Sequence, residues 1–241
     1  MSDEHRVEFH ESLTQLSDDI VRLGALTIET IGRGTAALLD RDLGAAQRLI
    51  DDDDIIDALA LRAEESCYRL LALQQPMAKD LRFLVCTLWI TGELERSADL
   101  MVNICKTSRR ILDVTIDPVV RGLIEDMSIE AASITRKAID SYITSDEGLA
   151  SALDDVDDRL DELQVTFVES VFASHQSGNL GLRPAVQLAL VGRYYERIGD
   201  HAVNVGERVR YMVTGWLPEH NAIARMEMRN RTGSPPDPLR G

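Results

Sequence analysis

The sequence predicts an all-α protein made of two tandem three-helix bundles related by internal pseudo-two-fold symmetry. Apolar residues recur at intervals of three and four along most of the 241 residues, which is the helical period. The second half of the chain also repeats the residue pattern of the first half. Aromatic residues make up only 5% of the chain, a low share for a β-sandwich or a β-barrel. Six long helices are therefore expected.

The first repeat is expected to span residues 5–113. Asp40 to Gly44 interrupts the apolar period and ends the first helix. Pro76 ends the second helix, because the residue before a proline is disfavoured in helical geometry. The three predicted helices cover residues 5–39, 43–75 and 77–112.

The second repeat is expected to span residues 118–215. Pro118 suits the first turn of its first helix, and Thr144-Ser145-Asp146-Glu147 predicts a capping box that opens the next helix. A Gly-rich and Asn-containing segment at residues 177–181 separates that helix from the last one. The predicted helices cover residues 118–143, 144–176 and 182–214, and residues 216–241 form a flexible C-terminal tail.

A shift of 101 residues aligns the two repeats. It pairs Glu95 with Glu196 and Asp99 with Asp200, and it also pairs other residues of the third and sixth helices. Without a gap, the same shift pairs Asp53, Asp54 and Asp57 with Asp154, Asp155 and Asp158. The agreement between residues 82–112 and their partners is several times what chance would give.

Composition excludes several classes of protein. The 26 basic and 41 acidic residues give a formal charge of −15, which repels a phosphate backbone and excludes a general nucleic-acid binder. The three cysteines form no CxxC pair and lie among apolar residues, as reduced thiols do. The first residues lack the features of a signal peptide, and no apolar stretch is long enough to span a membrane. A soluble, cytoplasmic protein is expected.

Two carboxylates in each repeat continue an apolar stripe. The stripe Leu81, Leu84, Val85, Leu88 and Gly92 leads to Glu95 and Asp99, and the last helix repeats the pattern at Glu196 and Asp200. The spacing predicts that each Glu–Asp pair points along the buried face of its helix.

Clustered carboxylates favour a cation. Two like charges about 4 Å apart repel by about 4 kcal/mol at an effective dielectric constant of about 20, whereas a bound metal ion turns this repulsion into coordination. An aspartate run in the preceding helix matches each Glu–Asp pair. Fe, Zn, Mn and Mg all suit these oxygen ligands. The candidate metal ligands are Glu95, Asp99, Glu196, Asp200, Asp53, Asp57, Asp154 and Asp158.

Other interpretations of these residues stay open. Arg96 and Arg197 could neutralise the carboxylates as ordinary ion pairs, and the aspartate runs could be a solvated face. His201 could be a ligand, although Leu100 replaces it in the first repeat, so a core or surface histidine is favoured. Asn103 and Asn204 could orient ligands or bond across helices.

Catalysis has little support in the sequence. There is no phosphate-binding GxxxxGK[ST] loop, GxSxG elbow or HExxH helix. The Glu-x-x-His pairs of carboxylate-bridged di-iron enzymes are also missing. Such a metalloenzyme and a structural metal-binding helical protein are kept as alternatives to a regulatory protein.

The duplicated motif resembles a known family. Glu95–Asp99 (ERSAD) and Glu196–Asn204 (ERIGDHAVN), within a repeated three-helix unit, are similar to the PhoU family, the phosphate-transport accessory proteins of bacteria. The resemblance covers residues 7–215, and residues 192–215 resemble actinobacterial members most. The first motif departs from the family pattern at Ser97-Ala98, where the family often has a glycine as the second residue.

The resemblance implies a non-catalytic, cytoplasmic negative regulator of the phosphate-starvation response and of phosphate uptake. Its expected partners are the ATPase subunit of the phosphate ATP-binding-cassette importer and a sensor histidine kinase, with a homodimer as the assembly. Some members carry multinuclear clusters of divalent or trivalent metal ions at the ExxxD motifs. Direct nucleic-acid binding and a membrane span are not expected.

Overall fold

A computed structural model describes residues 3–216, except for the side chains of residues 3–5, 154 and 155. This part of the chain consists of helices and short connections, without a strand, and its six long helices confirm the predicted all-α architecture of two three-helix units. The predicted tail lies outside the described residues from position 217 onward. The helices are α1 (Asp3–Leu39), α2 (Leu43–Gln74), α3 (Ala78–Arg110), α4 (Pro118–Thr144), α5 (Glu147–Ser151), α6 (Leu153–Gln176) and α7 (Leu182–Thr214).

Aspartate side chains cap three of the helices. Asp42 accepts a hydrogen bond from the Ala45 amide at the start of α2, and Asp117 accepts one from Val119 at the start of α4, where Pro118 occupies the first turn as predicted. Satisfying otherwise unpaired amides in this way stabilises a helix start by about 1 kcal/mol.

The start of the fifth predicted helix differs from the expected capping box. Helix α4 continues through Thr144, and Ser145 adopts a left-handed conformation after it. Asp146 is the residue that caps α5, by accepting a hydrogen bond from the Leu149 amide. Helix α5 ends at Ser151 after a single turn, and α6 starts at Leu153.

The two repeats share their hydrophobic interior. Helix α2 packs on α1 and α3, and α6 packs mainly on α4 and α7, while α1 packs on α4 and α3 packs on α7. One core combines α2 and the first part of α1 with the last turns of α4 and α7. The other combines α6 with the last part of α1 and the first part of α4. Each of these two large cores therefore draws side chains from both repeats, whereas a third, small cluster around Leu49 and Cys105 belongs to the first repeat alone.

The core face of α3 and α7 is offset from the predicted stripe. Leu81 is 42% exposed and Val186 is 50% exposed, so these positions lie at the margin of the core. The fully buried positions of α3 include Leu84, Ile90 and Ala98. Successive residues of a helix point about 100° apart around its axis. A residue one position away from a core position can therefore lie at the margin of the core.

Burial also corrects the alignment of the repeats. In α3 and α7 the buried positions match at the predicted shift of 101, as in Ile90 and Val191. In the first two helices of each repeat they match at a shift of 104 instead. Pairs of buried residues at this shift are Leu16 with Val120, Ile20 with Ile124, Ile56 with Leu160, and Cys67 with Val171.

A buried hydroxyl network ties α1, α4 and α7 together. Thr35 Oγ1 lies 2.7 Å from Ser128 Oγ and 2.6 Å from the hydroxyl of Tyr195. The Thr35 hydroxyl donates to the carbonyl of Ile31, so its oxygen accepts from both of these partners. The cysteines Cys67, Cys86 and Cys105 are free and buried, as predicted. No helix within residues 3–216 combines the length and apolar character needed to cross a bilayer.

Candidate metal centres

The first acidic cluster lies where α2 packs against α3. Asp53 and Asp57 come from α2, and Glu95 and Asp99 come from α3. Burial, as the largest cause, and the charges of Asp57, Asp99 and Glu95 together raise the pKa of Asp53 to about 6, against the opposing charge of Lys106. The four candidate residues of the first repeat are therefore close enough to repel one another.

The other members of this cluster are perturbed in the same direction. Burial raises the pKa of Glu95, and the carboxylates of Asp99 and Asp57 raise it further, against the charge of Arg96. Burial also raises the pKa of Asp57, together with the charges of Asp99 and Asp54. Mutual repulsion of this kind makes the cluster more favourable when a cation neutralises it.

The first cluster borders the core rather than lying inside it. Glu95 is half-buried, whereas Asp57 and Asp99 are exposed. The prediction that Glu95 and Asp99 point along the buried face of α3 is therefore wrong for Asp99. The offset of the core face explains this, because Leu94 and Ala98 take the interior positions next to them.

The second acidic cluster lies between α6 and α7. Burial raises the pKa of Asp161, and so do the charges of Asp200 and Asp158, against the charge of Arg193. The Oδ1 atom of Asp157 is buried and lies beside Gly199, where α6 and α7 approach closely. Glu196 and Asp200 are both half-buried on α7.

The shift of 104 identifies the equivalent aspartates. It places Asp157 at the position of Asp53 and Asp161 at that of Asp57, both on α6. The gapless pairing of Asp53 with Asp154 and of Asp57 with Asp158 is therefore wrong. The side chain of Asp154 lies outside those that the structure describes.

The expected ion pairs involve different residues. Arg96 binds Glu93, with 2.6 Å between Nη2 and Oε1, and Arg193 binds Glu196. Glu93 and Arg193 were not among the predicted residues. Both pairs have a spacing of three residues on one helix, a signal that is visible in the sequence. The Oε2 atom of Glu196 is buried and has no hydrogen-bond partner within the described structure.

His201 faces α3. Its Nδ1 atom lies 3.1 Å from Ser97 Oγ, and both side chains are buried. Burial, together with the charges of Arg96 and Arg197, lowers the pKa of His201 to about 4. His201 is thus a neutral core histidine, the interpretation that the sequence favoured. The charge of Arg197, which the sequence offered as a partner for the carboxylates, thus contributes to the lowered pKa of His201.

In ligand type, though not in the arrangement of the described side chains, both clusters suit a hard cation. Both clusters consist of carboxylates, which suit Fe, Mn, Mg or Zn, and their mutual repulsion favours an added positive charge. Among the described side chains, no group of three or more His, Cys, Asp or Glu residues has an arrangement that could hold a metal ion. The exposed carboxylates of Asp57 and Asp99 can rotate, because they are not packed in the core.

Known proteins resemble this chain over most of its length. The model of the PhoU domain matches twice, at residues 20–108 and 124–209. The phosphate-specific transport system accessory protein PhoU homolog 1 of Mycobacterium tuberculosis is 36% identical over 220 residues, covering 91% of this chain and 99% of the relative. The homologue of the same name from Thermotoga maritima is 29% identical over 209 residues, covering 87% and 90%.

A solved structure shares the fold and the repeat arrangement. The crystal structure of PhoU from Pseudomonas aeruginosa superposes with a TM-score of 0.81 at 25% identity, covering 86% of this chain and all of that chain. The two domain matches fall on the two three-helix repeats described above. The chain therefore belongs to the PhoU family.

Proposed function

We propose that this chain is a non-catalytic regulatory accessory protein of a phosphate-specific transport system, which represses phosphate uptake and the phosphate-starvation response. The observation that carries the proposal is the match of the PhoU domain in both repeats. A relative named phosphate-specific transport system accessory protein PhoU homolog 1, which aligns over 91% of the chain, supports it. The protein acts through protein partners, since its acidic surface disfavours nucleic acid.

Two partners follow from this role. They are the ATPase subunit of the phosphate importer and a sensor histidine kinase, and the chain acts between them from the cytoplasm, as a homodimer. Long helices with many exposed apolar side chains, such as Ile129 and Val165, support a role in protein contacts.

The acidic clusters bind divalent or trivalent metal ions in this proposal. Asp53, Asp57, Glu95 and Asp99 hold one site, and Glu196 and Asp200 hold the other, with aspartates of α6. Burial is the largest cause of the raised pKa of Asp53 and Glu95, and a bound ion would neutralise the carboxylate repulsion that adds to it. The metal has a structural role here, because no nucleophile with its general base accompanies either cluster among the described residues.

Deletion of the gene in its host tests the regulatory role. Phosphate-starvation genes are expected to turn on at high phosphate, and the wild-type protein restores silencing when it is supplied again. Transcript levels of the importer genes provide the measurement. Continued repression in the deletion strain, with no paralogue that substitutes, contradicts the proposal.

An oxygen-consumption assay of the purified protein and the deletion experiment separate the proposal from its two alternatives. A carboxylate-bridged metalloenzyme would bind two irons and consume oxygen, whereas a purely structural protein would leave phosphate gene expression unchanged when deleted. We expect no metal-dependent turnover and a clear change in expression.

A further inference from the structure

The starts of the two third helices differ in the partner of one arginine. Arg82 near the start of α3 donates from Nε to the carbonyl of Met212 at the end of α7, at 3.3 Å, and its guanidinium packs beside Gly215. Arg183 takes the same position on α7 by the shift of 101. Within residues 3–216, Arg183 has no hydrogen-bond or ion-pair partner.

Arg183 lines a groove between the end of α3 and the start of α7. The groove has a volume of about 530 Å³ and is lined by Arg110, Leu182, Arg183, Val186 and Gln187. Leu182 is 63% exposed and Val186 is 50% exposed, so the groove offers an apolar floor to solvent. The Arg110 side chain is held in place by a hydrogen bond of 3.0 Å from its Nη1 to Gln187 Oε1.

The charge of this groove is opposite to that of the whole protein. The chain carries a formal charge of −15, yet Arg110 and Arg183 line the groove and Arg109 also lies in the last turn of α3. The first turn of α7 carries no acidic side chain that would offset them. The cationic side chains of Arg110 and Arg183 thus lie beside the exposed Leu182 and Val186. Such a surface suits an occupant that carries both acidic and apolar side chains.

We propose that this groove docks an acidic amphipathic helix of a partner protein. The apolar face of that helix packs on Leu182 and Val186, and its carboxylates pair with Arg183 and Arg110. Arg82, the equivalent arginine of the first repeat, binds the carbonyl oxygen of Met212 at the end of α7. For Arg183 the docked helix would supply the corresponding oxygen. This inference rests on the proposed function only in assuming that the chain acts through protein partners.

A nucleic acid would meet repulsion from the rest of the chain, and a small anion would not use the apolar floor. The proposal therefore commits to a protein segment with both features. A second copy of this chain and a free anion remain as distinguishable outcomes of the test.

Binding of a synthetic peptide tests the groove directly with the full chain. The probe is an amphipathic helical peptide with leucines on one face and glutamates on the other, measured by fluorescence anisotropy at low and high salt. A peptide with lysines in place of the glutamates is the charge control. We expect the glutamate peptide to bind, salt to weaken it, and the lysine peptide not to bind.

Variants locate the binding surface. Arg183→Glu and Arg110→Glu should each weaken binding about tenfold, and Leu182→Ala should weaken it less. Arg69→Glu is the matched control, since it makes the same charge change on an exposed position of α2. Circular dichroism and the melting temperature show that each variant is folded.

Three results would overturn the proposal. One is equal binding by wild type, Arg183→Glu and Arg69→Glu. Another is displacement of the peptide by millimolar inorganic phosphate, which would identify an anion site. The third is a change of molar mass in light scattering for Arg110→Glu, which would assign the groove to a second copy. None of these depends on the deletion experiment, so failure here leaves the regulatory role standing.

Discussion

The Thr35 side-chain oxygen lies 2.6 Å from the Tyr195 hydroxyl, and this hydrogen bond joins the first helix of one repeat to the last helix of the other. Both side chains are buried, and Tyr195 is fully so. The nearby Ser128 hydroxyl bonds to the same oxygen from α4. A single threonine therefore accepts two hydrogen bonds across the contact between repeats.

This geometry predicts unequal effects at the two ends of the bond. Tyr195→Phe removes one hydrogen bond but leaves Thr35 with Ser128, so it should cost about 1 kcal/mol of unfolding free energy. Thr35→Val leaves the buried hydroxyls of Tyr195 and Ser128 without their acceptor and should cost about 2–4 kcal/mol. Urea unfolding measures both, and equal losses would contradict this account.

Two glycines should respond to alanine in opposite ways. A Cβ atom at Gly206 would lie 2.9 Å from the carbonyl oxygen of Ala150 and 2.5 Å from Leu153 Cδ1, so Gly206→Ala should destabilise the protein by about 1–3 kcal/mol. Gly32 on α1 has open space around that position. Gly32→Ala should stabilise the protein by about 1 kcal/mol through helix propensity. Thermal melts of the two variants would disprove the packing argument if both shifted in the same direction.

Stability of the metal-free protein should depend on Asp53. Its pKa in the folded state is about 6, above the ordinary value of 3.8, so protonation favours folding. The stability present below about pH 4 is lost as the pH rises through about 6. Asp53→Asn should therefore raise stability above pH 6 by about 1 kcal/mol, after allowance for its partial exposure, and change little at pH 4.

Melting temperatures across this pH range, in chelator, test the Asp53 prediction. Asp18→Asn is a control with the same charge change at an exposed position of α1. If Asp18→Asn gives the same pH-dependent gain as Asp53→Asn, the effect belongs to net charge and not to the acidic cluster.

The two acidic clusters should bind equal shares of the metal ions. Elemental analysis of the purified protein should find at least two ions per chain. Glu95→Gln with Asp99→Asn should remove about half of the metal, and Glu196→Gln with Asp200→Asn should remove the other half. Saturation at about a hundredfold excess over the dissociation constant adds about 2.7 kcal/mol to stability.

Chelation should lower the melting temperature correspondingly, because ions that bind only the folded state stabilise it by mass action. Added Mn, Zn or Fe should restore the melting temperature. A protein that holds no metal after purification and gains no stability from these ions would refute the metal prediction.

The helix boundaries could be predicted because breakers mark them. Pro76, Pro118 and the segment around Gly178 interrupt an otherwise regular apolar period, and α7 begins at Leu182 and ends at Thr214 as predicted. The break between α5 and α6 carries no such marker. Residues 151–153 are Ser, Ala and Leu, which are compatible with a continuous helix.

The acidic clusters were predictable in kind but not in detail. Glu95 and Asp99 lie near aspartates of α2, as their spacing indicated. The equivalents on α6 were misplaced by three residues, because the stretch from the aspartates of the second helix to the glutamate of the third is shorter in the second repeat. Asp57 and Glu95 are 38 positions apart, whereas Asp161 and Glu196 are 35 positions apart. Leu84 and Val85 are both apolar, so the period alone could not decide which of them faces the core.

The sharing of the two large cores between repeats bears on how such a chain could arise by gene duplication. A half-length ancestor with one three-helix unit would expose the apolar faces of α1 and α3 that now pack on α4 and α7. Two identical copies could cover those faces only by pairing about a two-fold axis. Fusion would then have linked the copies through residues 111–117. Later substitutions would have made the halves different, as at Leu94 of α3, whose equivalent in α7 at the shift of 101 is Tyr195. The contact between the two repeats, α1 with α4 and α3 with α7, therefore has the arrangement expected of two half-length copies that pair about a two-fold axis.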